Sequence, residues 1–332
     1  MSNKKRSVLV VDDVNSIRLA IKDSLGEKYN TFDAESYDCA LEILKQNKID
    51  LIITDIRMPG KSGIELIQMV QKNYPKTLYA LMTAYNINDY IQYANEFGIW
   101  NIIPKYSSLD LKLISIMVDK LFTRDIFGIE KYFDADLKIL RNNKRGFEKP
   151  PENSVIIKTI TSDRERNEIG NKISKYLISK GAPKNINQIF EELTSNAMIR
   201  APKDSYGEHK FQKEVSSSDK LKAVENVVLS ENDYFEIGYG VYKNKIILVI
   251  SDNYGTLKKE EILRRLNRHI TLDENGLPAG IADSHGRGLY ICREISDHLV
   301  FNIKKNYKTE VLVLIDTGNE KSYKGLSIYE ID

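Results

Sequence analysis

The stretch LIITDIRMPG, residues 51–60, decides the fold of the N-terminal part of this chain. Four apolar or β-branched residues, Leu51 to Thr54, run without a polar break and end on a carboxylate, Asp55. A strand of that kind is apolar on both faces, which suits the centre of a parallel sheet covered by helices on each side. Working outward, SVLVV, TLYALM and WNIIP have the same character, with a weaker strand at TFDAE. Amphipathic stretches lie between and after them at Ser16–Leu25, Tyr37–Gln46, Ile64–Asn73, Ile87–Phe97 and Leu109–Phe122. Strands and helices that alternate in this way predict an α/β, doubly wound, five-stranded parallel sheet over residues 1–123.

The ends of these strands carry the chemistry. Asp12 and Asp13 follow the first strand, Asp55 ends the third, Thr83 the fourth, and Lys105 follows the fifth. In a parallel sheet the carboxyl ends of the strands share one edge, where ligands bind. Three carboxylates gathered there repel one another, and a hard divalent cation with oxygen ligands, Mg²⁺, relieves the repulsion. A carboxylate beside Mg²⁺ is a competent nucleophile toward a phosphoryl group, and a lysine and a hydroxyl can pair with the phosphate oxygens that result.

The second half is built differently. Residues 124–153 include RNNKRGFEKPPEN, polar and basic with tandem prolines, and read as a linker with a short helix in GIEKYFDADLKIL. From 154 to 318 the pattern gives a strand at Ser154–Ile160 and helices at Arg164–Lys180 and Asn185–Arg200. A polar segment, Pro202–Ser218, precedes a hairpin of YFEIGYGVY and KIILVISD turning at Lys243-Asn244. A helix at Leu257–Asn267, a loose segment to His285, a helix at Gly288–Asp297 and the strands LVFNIKK and EVLVLID complete it. Strands and helices in separate runs predict an α+β sandwich, and residues 319–332 read as a C-terminal tail.

In IFEELTSNAMI, Ile189, Leu193 and Ala197 form a buried stripe, while Glu192 and Asn196, four apart, share another face. A carboxylate there can deprotonate an attacking hydroxyl, and an amide oxygen one turn away can hold Mg²⁺ on nucleotide phosphates. Asp252 ends the strand KIILVISD and is placed to accept from an adenine amine. HGRGLYICREISD sets Gly286 and Gly288 at a helix start, where free N–H groups attract phosphate, with Arg287 between them.

Two family resemblances follow. VLVVDD, LIITDIRMPG, LMTA and IIPK resemble the response-regulator receiver family, with its flavodoxin/CheY-like fold. That resemblance implies that Asp55 is phosphorylated, that Asp12, Asp13, Asp55 and the Arg57 carbonyl bind Mg²⁺, and that Thr83 and Lys105 read the phosphate. It also implies a histidine kinase as upstream phosphodonor. The order here is Pro104-Lys105, and Ile102 stands where the family carries its switch aromatic, leaving Trp100 or Tyr106 as substitutes. EELTSNA, ISDNYGT and GRGLYICREISD resemble the N, G1 and G2 boxes of GHKL ATPases, closest to the anti-sigma-factor serine/threonine kinases. This second resemblance implies a Bergerat-type ATP-binding sandwich with ATP and Mg²⁺ as cofactors. Glu192 becomes the base, Asn196 the Mg²⁺ ligand and Asp252 the adenine reader, with Gly255, Gly286 and Gly288 lining the nucleotide and a lid between Asn267 and His285. The G1 box reads DNYGT, with Gly255 as its one glycine.

The bulk numbers exclude other classes. With 49 basic and 47 acidic side chains, the net charge is +2 and makes no electrostatic case for nucleic acid. No apolar run approaches the ~20 residues of a membrane span, so a cytoplasmic protein is expected. The two cysteines and four histidines are scattered, without zinc spacing. The expected function is a two-component response regulator whose phosphorylation at Asp55 controls a kinase-like domain in a partner-switching pathway. The downstream partner is an anti-sigma antagonist or a sigma factor, and a homodimer is implied by family only. The alternatives are a non-catalytic ATP-dependent binding module and a histidine-kinase-like enzyme acting in trans.

Overall fold

The computed structural model describes all residues except 1–4, 85–90, 92–94, 106–108, 143, 212–226, 231–232, 270–286 and 319–323. The chain divides into two compact units: residues 1–126 with 325–327, and residues 127–324 with 328–332.

In the first unit, β1 (Ser7–Val11), β2 (Asn30–Ala34), β3 (Leu51–Asp55), β4 (Leu78–Thr83) and β5 (Asn101–Pro104) form a parallel sheet in the order β2-β1-β3-β4-β5. Every residue of β1 and β3 is buried, as their unbroken apolar character requires, whereas the edge strand β2 is half-exposed. Helices α1 (Asn15–Gly26), α2 (Tyr37–Gln46), α3 (Gly63–Asn73) and α4 (Leu111–Thr123) complete the described part. Leu9, Val11 and Ile52 from the sheet meet Ala40 and Leu44 of α2 and Leu66 and Val70 of α3 in one core cluster. Helix starts are set locally. Ser62 and Glu65 form a reciprocal capping box at α3, and Asp110 accepts from the Leu113 N–H at 3.0 Å to open α4. Most of the helix expected at Ile87–Phe97 lies outside the described residues.

In the second unit, β6 (Lys138–Arg141), β7 (Ser154–Ile160), β8 (Phe235–Tyr242), β9 (Lys245–Asp252), β10 (His298–Lys304) and β11 (Lys308–Asp316) form a mixed sheet in the order β10-β11-β9-β8-β7-β6. β6 pairs parallel with β7, and the remaining pairs are antiparallel. The hairpin turns at Lys243, which takes the left-handed conformation with φ 52°. Helices α5 (Asp163–Ser179), α6 (Ile186–Ser195), α7 (Lys259–Arg268) and α8 (Arg287–Ile295) contact one another in pairs: α5 with α6, α6 with α8, and α7 with α8. Helix α6 does not run regularly to Arg200. Residues Asn196–Arg200 form a π turn, closed by the Ala201 N–H donating to the Asn196 carbonyl at 2.9 Å.

Two segments differ from their reading as linker and tail. Residues 127–153 are part of the second unit, with a 3₁₀ turn at Ile129–Tyr132 and the strand β6 where a short helix was expected. Phe147 stacks on Tyr239 at 5.8 Å between ring centroids and tilts against Tyr176 at 6.1 Å. Tyr239 donates to the Glu148 carbonyl at 2.7 Å, and Lys158 donates to the Lys144 carbonyl at 2.8 Å. One aromatic anchor thus holds a segment whose composition is otherwise that of a solvated loop. Within the expected tail, Gly325–Ile331 is a strand, β12. Its residues Leu326 and Ser327 pair with Ile102 and Asn101 of β5 and group with the first unit. Among the described residues, no helix is long and apolar enough to cross a membrane.

Candidate functional site

Parallel strands deliver the acid pocket of the first unit. One oxygen from each of Asp12, Asp13 and Asp55 lies within 4.8 Å of the others. Asp12 is fully buried, Asp55 nearly so, and Asp13 is exposed. Each buried acid spends one oxygen on the backbone that follows its strand. Asp12 Oδ1 accepts from the Val14 N–H at 2.9 Å, and Asp55 Oδ1 from the Ile56 N–H at 2.8 Å. Their other oxygens turn to the buried Lys105 ammonium, at 2.6 Å from Asp12 Oδ2 and 2.8 Å from Asp55 Oδ2. Burial raises the Asp55 pKa above the usual carboxylate range. Lys105 acts against that rise, and the neighbouring Asp12 adds to it.

The Lys105 N–H donates to the Thr83 carbonyl at 2.7 Å, so the lysine and the threonine sit side by side at adjacent strand ends. Arg57, two residues beyond Asp55, is exposed in the loop that follows. Ile102 is buried, and Tyr106 lies outside the described residues. An all-oxygen donor set with two of its three carboxylates buried is the chemistry of a hard divalent cation, so the residues present fit Mg²⁺. One contributor is not among the residues expected from sequence. A Cβ on Gly63 would stand 1.9 Å from the Asp55 carbonyl oxygen, so only glycine lets α3 start this close to the acid. The Gly63 that opens α3 beside the capping Ser62 was the available signal.

The second unit holds a cavity of about 480 Å³. Asn196 and Asp252 both line it, as do Leu193, Leu289 and Phe301. The Asn196 amide donates to Glu192 Oε1 at 2.9 Å. Glu192 in turn lies against Gly288, where an added Cβ would stand 1.9 Å from the Glu192 carboxyl carbon. The two helix motifs and the end of β9 therefore converge. Gly286 falls outside the described residues, as does the segment expected to form a lid, and the Arg287 side chain is not described, though Arg287 opens α8.

Asp252 is buried beneath this cavity, and Oδ1 accepts from the Tyr254 and Gly255 N–H groups at 2.9 and 3.1 Å. Burial pushes its carboxyl up to about 7 against the hydrogen bonds from the Gly255 N–H and from Thr309 and against the charge of Lys308. Gly255 has φ +61°, and its carbonyl accepts from the Asn306 N–H at 3.2 Å, fastening the loop after β9 to the β10–β11 turn. Opposite Asp252 on β11, Thr309 also lines the cavity, and its buried hydroxyl faces the Asp252 carboxylate and acts against the rise in its pKa. A buried carboxylate with a hydroxyl beside it on apolar walls fits the edge of a flat heteroaromatic base. Thr309, Arg200, Arg265, Glu261 and His209 line the cavity without having been singled out by sequence. None belongs to a short motif, and only the α6 periodicity running on to Arg200 pointed to any of them.

Comparison with known proteins agrees with the acid pocket. Residues 8–115 match the response regulator receiver domain family. Sporulation initiation phosphotransferase F of Bacillus subtilis is 32% identical over 111 residues, covering 33% of this chain and 88% of that protein. Response regulator protein PilR of Pseudomonas aeruginosa is 34% identical over 102 residues, covering 30% of this chain and 23% of its own length. The chain thus spans about a quarter of the length of PilR. Among solved structures, response regulator protein TrrA of Thermotoga maritima in complex with Mg²⁺-BeF is 31% identical, covering 35% of this chain and 99% of that one with a TM-score of 0.32. The aspartate cluster at the strand ends, the lysine between two of them and the family match over the same residues place this chain, through its N-terminal domain, among the response regulators of two-component signalling.

Proposed function

We propose that phosphorylation of Asp55 controls a second unit that binds ATP and acts as a serine/threonine protein kinase in a partner-switching pathway. The observation that carries this reading is that Asn196 and Asp252 line one cavity while Glu192, bonded to the Asn196 amide, lies against Gly288, so that three separated segments of the chain meet. In the first unit, Asp12, Asp13, Asp55 and the Arg57 carbonyl hold Mg²⁺, which when bound supplies charge neutralisation for an incoming phosphoryl group. The Asp55 carboxylate attacks phosphorus and the phosphodonor, a histidine kinase, leaves with the bonding pair. Lys105 and Thr83 then pair with the new phosphate oxygens.

In the second unit, Asp252 and Thr309 orient the base, and Asn196 holds Mg²⁺. Glu192 takes the proton from the hydroxyl of a small antagonist protein. ATP, when bound, would supply its terminal phosphoryl group to that hydroxyl, with ADP as the leaving group. The downstream partner is an anti-sigma antagonist or a sigma factor, with a homodimer as the assembly to look for. The test is transfer of label from ATP to candidate antagonists by the full chain. Bound nucleotide with no transfer to any antagonist counts against the kinase reading.

One observation favours a second reading, a non-catalytic module in which ATP sets the shape of a protein-docking surface. The Glu192 carboxylate is engaged by the Asn196 amide at 2.9 Å. Normal output from a Glu192→Ala protein that still binds ATP supports this second reading over the first.

A further inference from the structure

The opposite face of the second unit's sheet carries a smaller cavity, of about 240 Å³. Side chains alternate along a strand, so neighbouring residues of the same strands line the two cavities. On β9, Ile250 and Asp252 line the larger cavity, Val249 and Ser251 the smaller. On β11, Thr309 and Val311 line the larger, Lys308 and Glu310 the smaller. Residues 127–130, read from sequence as linker, also line the smaller one. Its volume lies below the ~300–1,000 Å³ typical of drug-sized ligands, which limits an occupant to a small molecule.

Glu236, Ser251 and Glu310 stand in register across β8, β9 and β11. Ser251 is only 6% exposed, and its hydroxyl makes no hydrogen bond to any described residue. A buried hydroxyl that faces a cavity in this state asks for a partner from within it. Glu310 is 5% exposed, and its Oε1 accepts from the Gly128 N–H at 3.1 Å and the Asn302 amide at 2.9 Å. Its Oε2 stands 4.0 Å from the Lys308 ammonium, beyond hydrogen-bond reach. Lys308 also lies over the Phe127 ring, 5.3 Å from its centroid, and its charge is felt by Asp252. Of the other charged side chains at the cavity, Arg141 and Glu236 pair with each other and Glu130 is exposed. A hydroxyl and a carboxylate oxygen side by side accept from an ammonium, and a lysine beside them pairs with a carboxylate. An α-amino acid carries both groups on one carbon, and Ile129, Ile157 and Val249 offer apolar wall to its side chain.

We infer that this smaller cavity binds a free α-amino acid, its ammonium on Glu310 and Ser251 and its carboxylate on Lys308. The ligand bridges two opposite charges that stand too far apart to bond directly. Ser251, Lys308 and Glu310 do not line the larger cavity, so the site stands apart from the nucleotide reading.

The test titrates the full set of proteinogenic L-amino acids into the full chain by calorimetry. The one that binds best is then compared with its decarboxylated amine, which lacks the carboxylate, and its N-acetyl derivative, which lacks the ammonium. On the wild type both derivatives bind about ten- to a hundredfold more weakly, the range of a lost hydrogen bond to a charged group. Ser251→Ala weakens the amino acid about tenfold and Lys308→Met about ten- to a hundredfold, with thermal unfolding as the check that each variant keeps its fold. The amine, which has nothing for Lys308 to hold, is not weakened by Lys308→Met. Equal weakening of amine and amino acid by that substitution would make Lys308 a structural residue and overturn the inference. So would an affinity insensitive to both substitutions, or an amine that binds the wild type as well as the amino acid does. Failure of every amino acid to bind the wild type would leave the cavity to solvent and overturn it outright.

Discussion

The acid pocket of the first unit and the cavity of the second handle charge in opposite ways. In the acid pocket the chain supplies its own counter-charge, since Lys105 lies within 2.8 Å of both buried carboxylates. In the cavity, Asp252 is relieved by a pKa raised to about 7. A pocket whose three carboxylates are only partly offset by one lysine keeps a net negative charge that suits a divalent cation. In the cavity it is burial that dominates, lowering the pKa of Arg200 and raising that of Asp252.

The largest effect that sharpens this contrast is Asp55→Asn. Incorporation of phosphate from a small-molecule donor such as acetyl phosphate falls to background in that variant, whereas the nucleotide binding proposed for the second unit is unaffected. Label retained on Asp55→Asn would place the phosphoacceptor elsewhere. Next comes Lys105→Met, which leaves two buried carboxylates facing each other. Breaking a buried ion pair costs about 3–5 kcal/mol, read as a loss of unfolding free energy in urea. Saturating Mg²⁺ restores more stability to Lys105→Met than it adds to the wild type. Equal effects of Mg²⁺ on both proteins would separate the lysine from the metal site.

The third prediction concerns Asp252. Its folded pKa, about 7, lies above the ordinary carboxylate value, so between about pH 4 and 7 the folded chain keeps a proton that the unfolded chain has released. The stability it contributes is therefore present at low pH and is lost as pH rises through that window, on the order of 3–4 kcal/mol in all. Asp252→Asn removes this slope, and the difference between the two denaturation profiles isolates it from other carboxylates. Parallel profiles would mean that Asp252 titrates normally.

The smallest effect compares two glycines. Gly63→Ala drives a methyl group to 1.9 Å from a backbone carbonyl, which has nowhere to go, and costs about 1–3 kcal/mol. Gly288→Ala meets only the Glu192 side chain, which can swing aside. Its stability changes little, and its defect appears in nucleotide binding and turnover. A reversal of this order would mean that the Glu192 wall is the more rigid of the two.

Legibility in sequence also differs between the two regions. Asp12, Asp55, Thr83 and Lys105 were readable because parallel strands bring their carboxyl ends to one edge, so strand order alone predicts the meeting. Glu192 and Asn196 were readable from helical spacing. Phe147 was not, since a single aromatic in a basic, proline-containing segment gives no periodic signal, and its partners Tyr176 and Tyr239 are far away in the chain. The strand Gly325–Ile331 was passed over as a tail for a related reason: a short segment acquires its structure from the strand it pairs with.

By itself, the sequence determined most of the local elements, the shared helix face of Glu192 and Asn196 and the acid cluster at the strand ends, because hydrophobic periodicity and capping are properties of neighbouring residues. Tertiary structure alone decided which charges are answered. Lys105 between two aspartates and Asp252 buried beneath its cavity are outcomes of packing between distant segments. Coulomb energy and desolvation depend on distance and burial in three dimensions, and neither is encoded in the order of residues along the chain.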